Sequence, residues 1–308
     1  MLEYGQKLWS NGEIRDFSDA GKISILVHSL HYGVGAFEGI RAYSRRDGRS
    51  TVFRLREHLE RLAHSCKLVG IPLEYDTEVL ARACLAVLSA NELREAYLRP
   101  LVLIGVGSLG LASGENPTHA LIVAWKWGAY LGEGGVKRGV RCKTSAWGRP
   151  SSMAAFPRGK LTGQYVTSVV AKNDALRDGY DEALMLDDGG HVCEGTGENI
   201  FVVQDRRLLT PPLSCSILPG ITRDTVITLA REEGYRVEER LLSREDVYLA
   251  DEVFLTGTAA ELTPVVEVDG RAIGRGEVGP VTTQLQERFF ETVRGDDESH
   301  PEWLTEVY

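Results

Sequence analysis

Several common signals for metal, disulfide and membrane chemistry are missing from this sequence of 308 residues. The five cysteines form an odd set without a CxxC pair, which disfavours a disulfide framework and a zinc site, so we expect reduced and mostly buried thiols. The seven histidines show no HExxH or other paired spacing, and we expect no metal site. No apolar run approaches the ~18 residues of a membrane helix, and the first residues lack the layout of a signal peptide. These absences predict a cytoplasmic protein without a membrane partner.

Positive charge is also in short supply, because 35 lysines and arginines stand against 44 aspartates and glutamates, for a net charge of -9. Nucleic-acid-binding domains usually carry a basic stripe, whereas these arginines are scattered among acids, so we expect no nucleic-acid partner. Hydrophobic residues make up 43% of the chain, enough to bury a large core. At roughly 150 residues per domain, the length predicts two domains, and the partners are expected to be small molecules.

The first part of the chain, residues 1–127, is expected to form a small α+β domain. Runs separated by turns predict an antiparallel meander with strands near residues 23–27, 39–43 and 51–53. Apolar residues at helical spacing predict a helix at Leu55–Leu68 and a second helix capped by Asp76 or Thr77. Two longer strands are expected at residues 96–104 and 119–127.

Residues 128–139 carry five glycines and predict a linker, followed by a larger domain at residues 140–308. In that domain Ser243 and Asp246 form the sequence pattern of a capping box at a helix start. Other helices are expected near residues 164–178, from Thr222 onward, and near 279–293. The final residues, 296–308, read as an acidic tail.

One familiar motif is discounted on its context. Residues 105–110 read GVGSLG, which matches the GxGxxG fingerprint of dinucleotide sites and follows a predicted strand. In such sites the third glycine opens a helix whose N-terminus meets a pyrophosphate. The next residues, ASGENP, cannot start a helix before the following strand, so we expect no dinucleotide site.

Lysine is scarce enough that its settings are informative, with eight lysines against 27 arginines and none after Lys172. Lys160 lies in the loop segment FPRGKLTG, whose glycines allow close approach to a ligand. Taken alone, a loop lysine is usually solvated. A Schiff-base lysine needs its amine, ordinarily of pKa about 10.4, made neutral by a nearby cation or by desolvation. Tyr165 follows shortly after and offers a phenol hydroxyl.

An acid and two possible anion cradles accompany this amine. Glu194 begins EGTGEN, which by itself could be only a tight turn, in which Glu198 and Asn199 satisfy backbone groups. A buried carboxylate can instead favour a proton on a pyridine nitrogen. The segment LPGITRD at residues 218–224 fits an ordinary capped helix or a phosphate-binding helix start, and GTA at residues 257–259 offers small side chains and amides. Amine, phenol, acid and cradles together indicate pyridoxal phosphate.

In this order the motifs resemble fold-type-IV pyridoxal-phosphate enzymes, and the chain is similar to branched-chain amino-acid aminotransferases. The likeness runs nearly end to end and includes HYG at 31–33, FEGIR at 37–41, REH at 56–58, YLRP at 97–100 and WGAY at 127–130. It implies a two-domain α+β fold similar to D-amino-acid aminotransferase, with a small N-terminal α+β domain and a larger C-terminal α/β pseudo-barrel domain. The cofactor is then expected between the domains. Gly159 and Gln164 depart from the family's usual alanine and asparagine.

The resemblance also implies a role for each site residue. Lys160 would be the Schiff base and proton shuttle, Tyr165 would contact the phenolic oxygen of the cofactor, and Glu194 its ring nitrogen. The cofactor phosphate would be held by Arg61, Ile221, Thr222 and Thr258. The substrate would be contacted by Tyr32, Phe37, Tyr97, Arg99, Trp127, Tyr130 and Ala259. Arg99 and Tyr32, the latter from a neighbouring subunit, would receive the distal carboxylate of glutamate.

The implied reaction is transamination of leucine, isoleucine or valine with 2-oxoglutarate, giving branched 2-oxo acids and L-glutamate, by a homodimer or higher homo-oligomer. Alternatives with the same fold are a D-amino-acid aminotransferase, an (R)-amine transaminase and an aminodeoxychorismate lyase. A catalytically silent binding protein is an alternative of another class. Tyr97 and Arg99, together with Phe37 and Arg41, favour the branched-chain interpretation, although Arg99 could be a strand-edge ion-pair partner and Arg61 a solvated helix residue.

Overall fold

The computed structural model describes residues 3–128 and 131–308, apart from the side chain of Glu133. The strands are β1 Lys7–Ser10, β2 Glu13–Asp16, β3 Gly35–Phe37, β4 Ile40–Ser44, β5 Ser50–Phe53, β6 Ala96–Ile104, β7 Thr118–Trp125, β8 Val140–Thr144, β9 Glu182–Leu186, β10 Val192–Glu194, β11 Asn199–Gln204, β12 Arg207–Thr210, β13 Arg236–Glu239, β14 Glu252–Gly257, β15 Glu261–Val268, β16 Arg271–Ala272 and β17 Leu304–Glu306. The helices are α1 Phe17–Ala20, α2 His28–Tyr32, α3 Leu55–Leu68, α4 Thr77–Ala90, α5 Gly132–Arg138, α6 Tyr165–Arg177, α7 Ile221–Glu232, α8 Arg244–Tyr248 and α9 Pro280–Val293. Short 3-10 helices occur at Thr162–Gln164 and Pro301–Trp303.

The chain forms two compact units. Unit 1 contains Met1–Trp127, Gly159–Gln164 and Thr292–Tyr308, and unit 2 contains Gly128–Arg158 and Tyr165–Glu291. Unit 1 therefore includes two segments from the second half of the sequence, Gly159–Gln164 and Thr292–Tyr308. No local pattern in the sequence indicates this arrangement.

Unit 1 is an antiparallel sheet covered by α3 and α4. The strand order is β17-β5-β4-β6-β7-β1-β2, and β3 pairs with β6. Leu59 and Leu62 of α3 are fully buried because their spacing places them on the same face of the helix. They share a core with Val87 of α4 and Leu98 of β6. Burial of this face, rather than helix propensity alone, holds α3 in place.

Unit 2 contains a mixed sheet that closes on itself. Its strand order is β10-β9-β8-β15-β14-β11-β12-β13, and β10 also pairs with β11, which completes a ring of six strands. The ring fits the expected pseudo-barrel, and Phe201 and Phe254 stack inside the unit with ring centroids 5.1 Å apart. Glu194 lies at the end of β10, where the ring closes.

Local signals in the sequence locate several elements correctly. Helix α3 has the predicted bounds, Asp76 caps α4 by accepting from Val79 N–H at 2.8 Å, and Ser243 with Asp246 forms the predicted capping box. All five cysteines are free and buried, as predicted. Within the described residues, the GxGxxG segment opens no helix, which agrees with its rejection as a dinucleotide motif.

Three expectations differ from the structure. The strand predicted at residues 23–27 is wrong, because that segment is irregular and Ile25 is 77% exposed, so its apolar residues pair with no sheet. A short helix, α5, lies in the segment expected to be a linker. The expected acidic tail ends in β17, which pairs with β5 at the edge of the unit 1 sheet, and Trp303 beside it is buried.

Among residues 3–128 and 131–308, none of the helices has both the length and the apolar character needed to cross a membrane.

Candidate active site

The backbone around Lys160 is fixed within unit 1 by β3 and α3. Phe37 N–H donates to the Lys160 carbonyl at 3.0 Å, and Ala36 forms a bridge with Leu161. Lys160 N–H donates to Ser65 Oγ at 2.9 Å. The Lys160 side chain is half-buried, with Nζ 5.2 Å from the centre of the Phe37 ring. The main chain of Lys160 is therefore held by β3 and α3 of the same unit.

Arg61 is held by a buried carboxylate on the same unit. Its Nε and one terminal nitrogen donate to the two oxygens of Glu38 at 2.7 and 2.9 Å. Burial alone would raise the pKa of Glu38, but Arg61 and His58 hold that pKa well below its ordinary value. Burial lowers the pKa of His58 despite its contact with Glu38. The predicted phosphate ligand Arg61 is thus a buried, oriented cation and not a solvated helix residue.

Arg99 lies among aromatic rings in unit 1. Its guanidinium carbon is 4.7 Å from the centre of the Phe37 ring, 5.6 Å from that of Tyr97 and 5.4 Å from that of Trp125. Its Nε is buried and has no hydrogen-bond partner among the described residues. Aromatic faces attract a cation but leave its N–H groups available for hydrogen bonds. Trp125 was not predicted as a site residue from the sequence, although it pairs with Tyr97 between β6 and β7.

Tyr97 and Trp127 adjoin this group, as the sequence predicts. Tyr97 is 5% exposed, and its ring packs edge-on against Trp127 with centroids 4.6 Å apart. A Cβ at Gly39 would lie 1.7 Å from the Tyr97 hydroxyl, so only glycine fits beside it. Arg41 donates to the Trp127 carbonyl at 3.2 Å. Of the seven predicted substrate residues, β3, β6 and the segment after β7 bring together Phe37, Tyr97, Arg99 and Trp127.

The predicted acid, Glu194, is deeply embedded in unit 2. It is 5% exposed, and its Oε1 forms an ion pair with Arg149 at 2.8 Å. Its Oε2 accepts from Asn199 Nδ2 and from Leu218 N–H, each at 3.1 Å. Three donors fix both oxygens of the carboxylate, which excludes its interpretation as an incidental residue of a tight turn.

Asn199 links the acid to the start of α7. Its Nδ2 also donates to the Leu218 carbonyl at 3.0 Å, and a Cβ at Gly220 would lie 1.9 Å from its Oδ1. Gly220 is the N-cap of α7 and supplies no side-chain cap, and Thr222 in the first turn is buried. The acid and a helix N-terminus suited to an anion are therefore fixed to each other within one unit.

The segment at residues 257–259 joins the same group of elements. Thr256 pairs with Asn199 across β11 and β14, and Thr258 and Ala259 follow directly after β14, both half-buried. Segments around Glu194, Leu218 and Thr256 thus meet at Asn199. From the sequence, Asn199 was expected only to form hydrogen bonds with backbone groups of the turn. In the structure it links the three segments.

Glu198 serves the turn as predicted. It is buried, and its Oε2 accepts from Gly197 N–H at 3.1 Å. Burial, followed by the nearby charge of Glu182, raises the pKa of Glu198 to about 8. Lys172 donates to Glu182 at 2.6 Å, so this second acid is paired.

The remaining predicted residues are placed as follows. Tyr165 begins α6 and is half-buried, and Ile221 is buried at the start of α7. Tyr32 is 42% exposed and donates to the Leu109 carbonyl at 2.5 Å. Tyr130 lies outside the described residues. Arg149 was missed altogether, because nothing in the sequence near Gly148 and Pro150 points to a partner as distant as Glu194.

Comparison with known proteins places this geometry in a family. Residues 35–268 match the amino-transferase class IV family. The branched-chain-amino-acid aminotransferase of Pseudomonas aeruginosa is 43% identical over 307 residues, which cover 100% of this chain and 99% of that protein. The crystal structure of the Escherichia coli branched-chain amino acid aminotransferase superposes with a TM-score of 0.96 at 42% identity over 100% of both chains. That of the Thermobaculum terrenum branched-chain amino acid aminotransferase in its PLP form gives a TM-score of 0.93 at 35% identity, over 99% of both chains.

These likenesses confirm the expected fold class, and they extend over essentially the whole sequence. The chain belongs to the class IV aminotransferase family.

Proposed function

We propose that this protein is a pyridoxal-phosphate-dependent branched-chain-amino-acid aminotransferase, which transfers the amino group of leucine, isoleucine or valine to 2-oxoglutarate. Full-length relatives at 43% and 44% identity carry that name. The observation that carries the proposal is Arg99, a cation set among aromatic rings with a buried Nε that lacks a described partner. An apolar aromatic surface suits an aliphatic side chain, and the same cation can pair with the distal carboxylate of glutamate.

The direct test is an assay of the purified holoenzyme with 2-oxoglutarate and either L-leucine or D-alanine. We expect L-glutamate to form from L-leucine and little product from D-alanine. Turnover of D-alanine in preference to L-leucine would favour the D-amino-acid aminotransferase. Release of pyruvate from aminodeoxychorismate would favour the lyase.

The residues of unit 2 fit pyridoxal phosphate. Glu194 presents a buried carboxylate held by Arg149, Asn199 and Leu218, as a protonated pyridine nitrogen requires. The N-terminus of α7, with Ile221 and Thr222, fits a phosphate. When bound, the cofactor supplies an electron sink for the negative charge that develops at the substrate Cα. We assign Tyr165 to its phenolic oxygen and Arg61 and Thr258 to its phosphate.

Lys160 is proposed to move the proton. Its amine would remove the proton from Cα of the branched-chain amino acid, and in the second half-reaction it would return a proton to Cα of the product glutamate. The Lys160 main chain is anchored to Phe37 and Ser65, which fixes the point from which the side chain reaches the substrate. The Phe37 ring, with its centre 5.2 Å from Nζ, lies beside the amine.

Substrate binding is assigned to aromatic residues and to residues that can bind a carboxylate. Phe37, Tyr97 and Trp127 would contact the aliphatic side chain, and Ala259 with Tyr97 would lie near the α-carboxylate. Arg99, and Tyr32 from the neighbouring subunit, would bind the distal carboxylate of glutamate. Tyr130 is assigned to the aliphatic side chain by family resemblance.

Replacement of Arg99 by leucine should separate the two half-reactions. A hydrogen bond to a charged group contributes about 1.5–3 kcal/mol, so we expect kcat/KM for 2-oxoglutarate to fall about 10- to 100-fold. The leucine half-reaction should change much less, because an aliphatic side chain gains nothing from the cation. Stopped-flow measurement of each half-reaction tests this. The matched control is Arg82→Leu, on the exposed side of α4, and an equal loss in both half-reactions would contradict the role of Arg99.

We further propose that the protein is a homodimer. Unit 1 exposes an apolar surface on two adjoining segments, where Ile25 is 77%, Leu30 63% and Leu111 84% exposed. His28 Nε2 is 3.0 Å from the Gly110 carbonyl, which holds the segments together. Large exposed apolar patches of this kind usually mark interaction sites.

A cytoplasmic location is also proposed, because five free buried thiols suit a reducing compartment. Fractionation of the producing cells tests this location.

Charge on this surface should dissociate the dimer. We expect Ile25→Glu combined with Leu30→Glu to elute as a monomer of 34.0 kDa, whereas the unaltered protein elutes as a dimer. Burying two carboxylates in an apolar interface without partners is costly. Light scattering coupled to size exclusion measures the mass. Leu249→Glu is the control, since Leu249 is 75% exposed elsewhere on unit 2, and a monomeric unaltered protein would refute the proposal.

A further inference from the structure

Two cysteines that are distant in the sequence meet beside an aspartate in unit 2. Cys193 Sγ lies 3.5 Å from Cys215 Sγ, and Cys215 Sγ lies 3.3 Å from Asp187 Oδ2. The two cysteines are 0% and 1% exposed. The Asp187 side chain is 17% exposed and that of His191 37%, so the cluster borders on solvent at one side. Asp187, Cys193 and Cys215 are called the dithiol cluster below.

The spacing of these atoms suits a tetrahedral soft cation. Zinc binds sulfur at about 2.3 Å and carboxylate oxygen at about 2.0–2.2 Å, which places neighbouring ligand atoms about 3.6–3.8 Å apart. The measured 3.5 and 3.3 Å are within a few tenths of that range, and all three ligand atoms lie within 4.8 Å of one another. His191 Nδ1, 3.2 Å from Asp187 Oδ1, is a further nitrogen donor at the rim.

The surroundings favour a bound cation over a disulfide. Both thiols of the dithiol cluster are almost completely buried. Buried thiols are shielded from dissolved oxidants, so a disulfide between them forms slowly. A bound divalent cation balances the negative charge of two thiolates, so both thiols can lose their protons. The Asp187 carboxylate adds a hard anionic ligand that a disulfide would not use.

We propose that Asp187, Cys193 and Cys215 bind one Zn²⁺ ion, with His191 or water as the fourth ligand. Binding replaces water ligands of hydrated Zn²⁺ with two Zn–S bonds and one Zn–O bond, leaves the fourth position to His191 or a retained water, and releases two thiol protons to solvent, without oxidant or reductant. Sequence spacing did not indicate this site, because the fold brings together a turn, β10 and the loop before α7.

The position of the ion gives it a structural task. Cys193 immediately precedes Glu194, and Cys215 lies in the loop whose Leu218 donates to the Glu194 carboxylate at 3.1 Å. A metal bond between these two segments would tie the loop to the strand. The proposal rests on the dithiol cluster itself and stands whether or not the transamination is correct.

Cobalt titration of the chelator-treated holoenzyme tests the site. Bound to two thiolates in a tetrahedral site, Co²⁺ gives a sulfur-to-metal charge-transfer band and intense visible bands, read as difference spectra against the untreated holoenzyme. We expect saturation at one ion per chain and loss of the bands on addition of Zn²⁺. Cys193→Ser and Cys215→Ser should each lose the charge-transfer intensity of one thiolate and at least about tenfold in affinity, the lower limit for disturbing even an outer-shell group. Cys142→Ser, another buried cysteine of unit 2, should bind as the unaltered protein does.

Asp187→Asn and His191→Ala keep the test decisive if a serine variant fails to fold, because both side chains reach the surface. Asp187→Asn should also weaken binding at least about tenfold, and Zn²⁺ at a concentration that just saturates the unaltered protein should raise the Tm of that protein and of Cys142→Ser more than that of Asp187→Asn. Absence of thiolate-to-cobalt bands would overturn the proposal. So would unchanged affinity in all of the dithiol-cluster variants, or a Cys193–Cys215 disulfide found by peptide mapping of the purified protein.

Discussion

Replacement of Lys160 by alanine is expected to lower kcat for transamination by about a thousandfold or more, which lies within the range attributed to a positioned acid-base group. The loss should appear with both leucine and glutamate as donor, because one amine is proposed to move the proton in each direction. The main chain of the segment should keep its conformation, since Phe37 N–H donates to the carbonyl of residue 160 and Ser65 Oγ accepts from its N–H.

Two measurements distinguish this role from a structural one. Borohydride treatment of the unaltered holoenzyme should leave the cofactor attached to the peptide that contains Lys160, as detected by mass spectrometry, and the alanine variant should retain none. Added methylamine should restore part of the variant's rate by replacing the missing base. Lys67→Ala, at an exposed position of α3, is the matched control. Attachment at another lysine would refute the assignment.

Glu194→Gln is expected to lower kcat about 100- to 1000-fold, the range for removing one electrostatic contact to charge that develops in a transition state. The amide keeps the shape of the carboxylate but cannot balance a protonated pyridine nitrogen. It also leaves the buried Arg149 without its counter-charge. Loss of one partner of a buried ion pair costs about 3–5 kcal/mol, so Tm should fall as well.

The double variant Glu194→Gln/Arg149→Met separates the two effects. Removal of the unpaired cation should recover most of the lost Tm, while kcat remains low because no carboxylate faces the ring nitrogen. Thermal unfolding and steady-state rates on the same preparations provide both numbers. Recovery of activity together with Tm would mean that Glu194 acts only through stability and has no electronic role.

Elements that depend on neighbours in the sequence could be predicted from it. Helix α3 follows from apolar residues at helical spacing, and the caps at Asp76 and Ser243 follow from side chains that reach backbone groups within one turn. The strand predicted at residues 23–27 failed because apolar alternation also describes an exposed segment. Strand β17 was missed because it is stabilised by β5, which is distant in the sequence.

The site shows the same division between local and distant contacts. Short motifs indicated Lys160, Glu194 and the start of α7, and family resemblance supplied roles that the residues alone left open. Arg149 and Trp125 were missed because their importance comes from Glu194 and Arg99, partners that only the folded chain brings near. Asn199 was noticed but underestimated for the same reason.

Unit 1 contains segments that are synthesised late, which affects when it can fold. Its edge strand, Leu304–Glu306, and its lysine-bearing segment, Gly159–Gln164, are translated long after its sheet and helices. Domains usually fold in order as they leave the ribosome. Unit 1 therefore cannot be completed until Leu304–Glu306 has been synthesised, and a truncation before Leu304 leaves β5 as an unpaired edge strand.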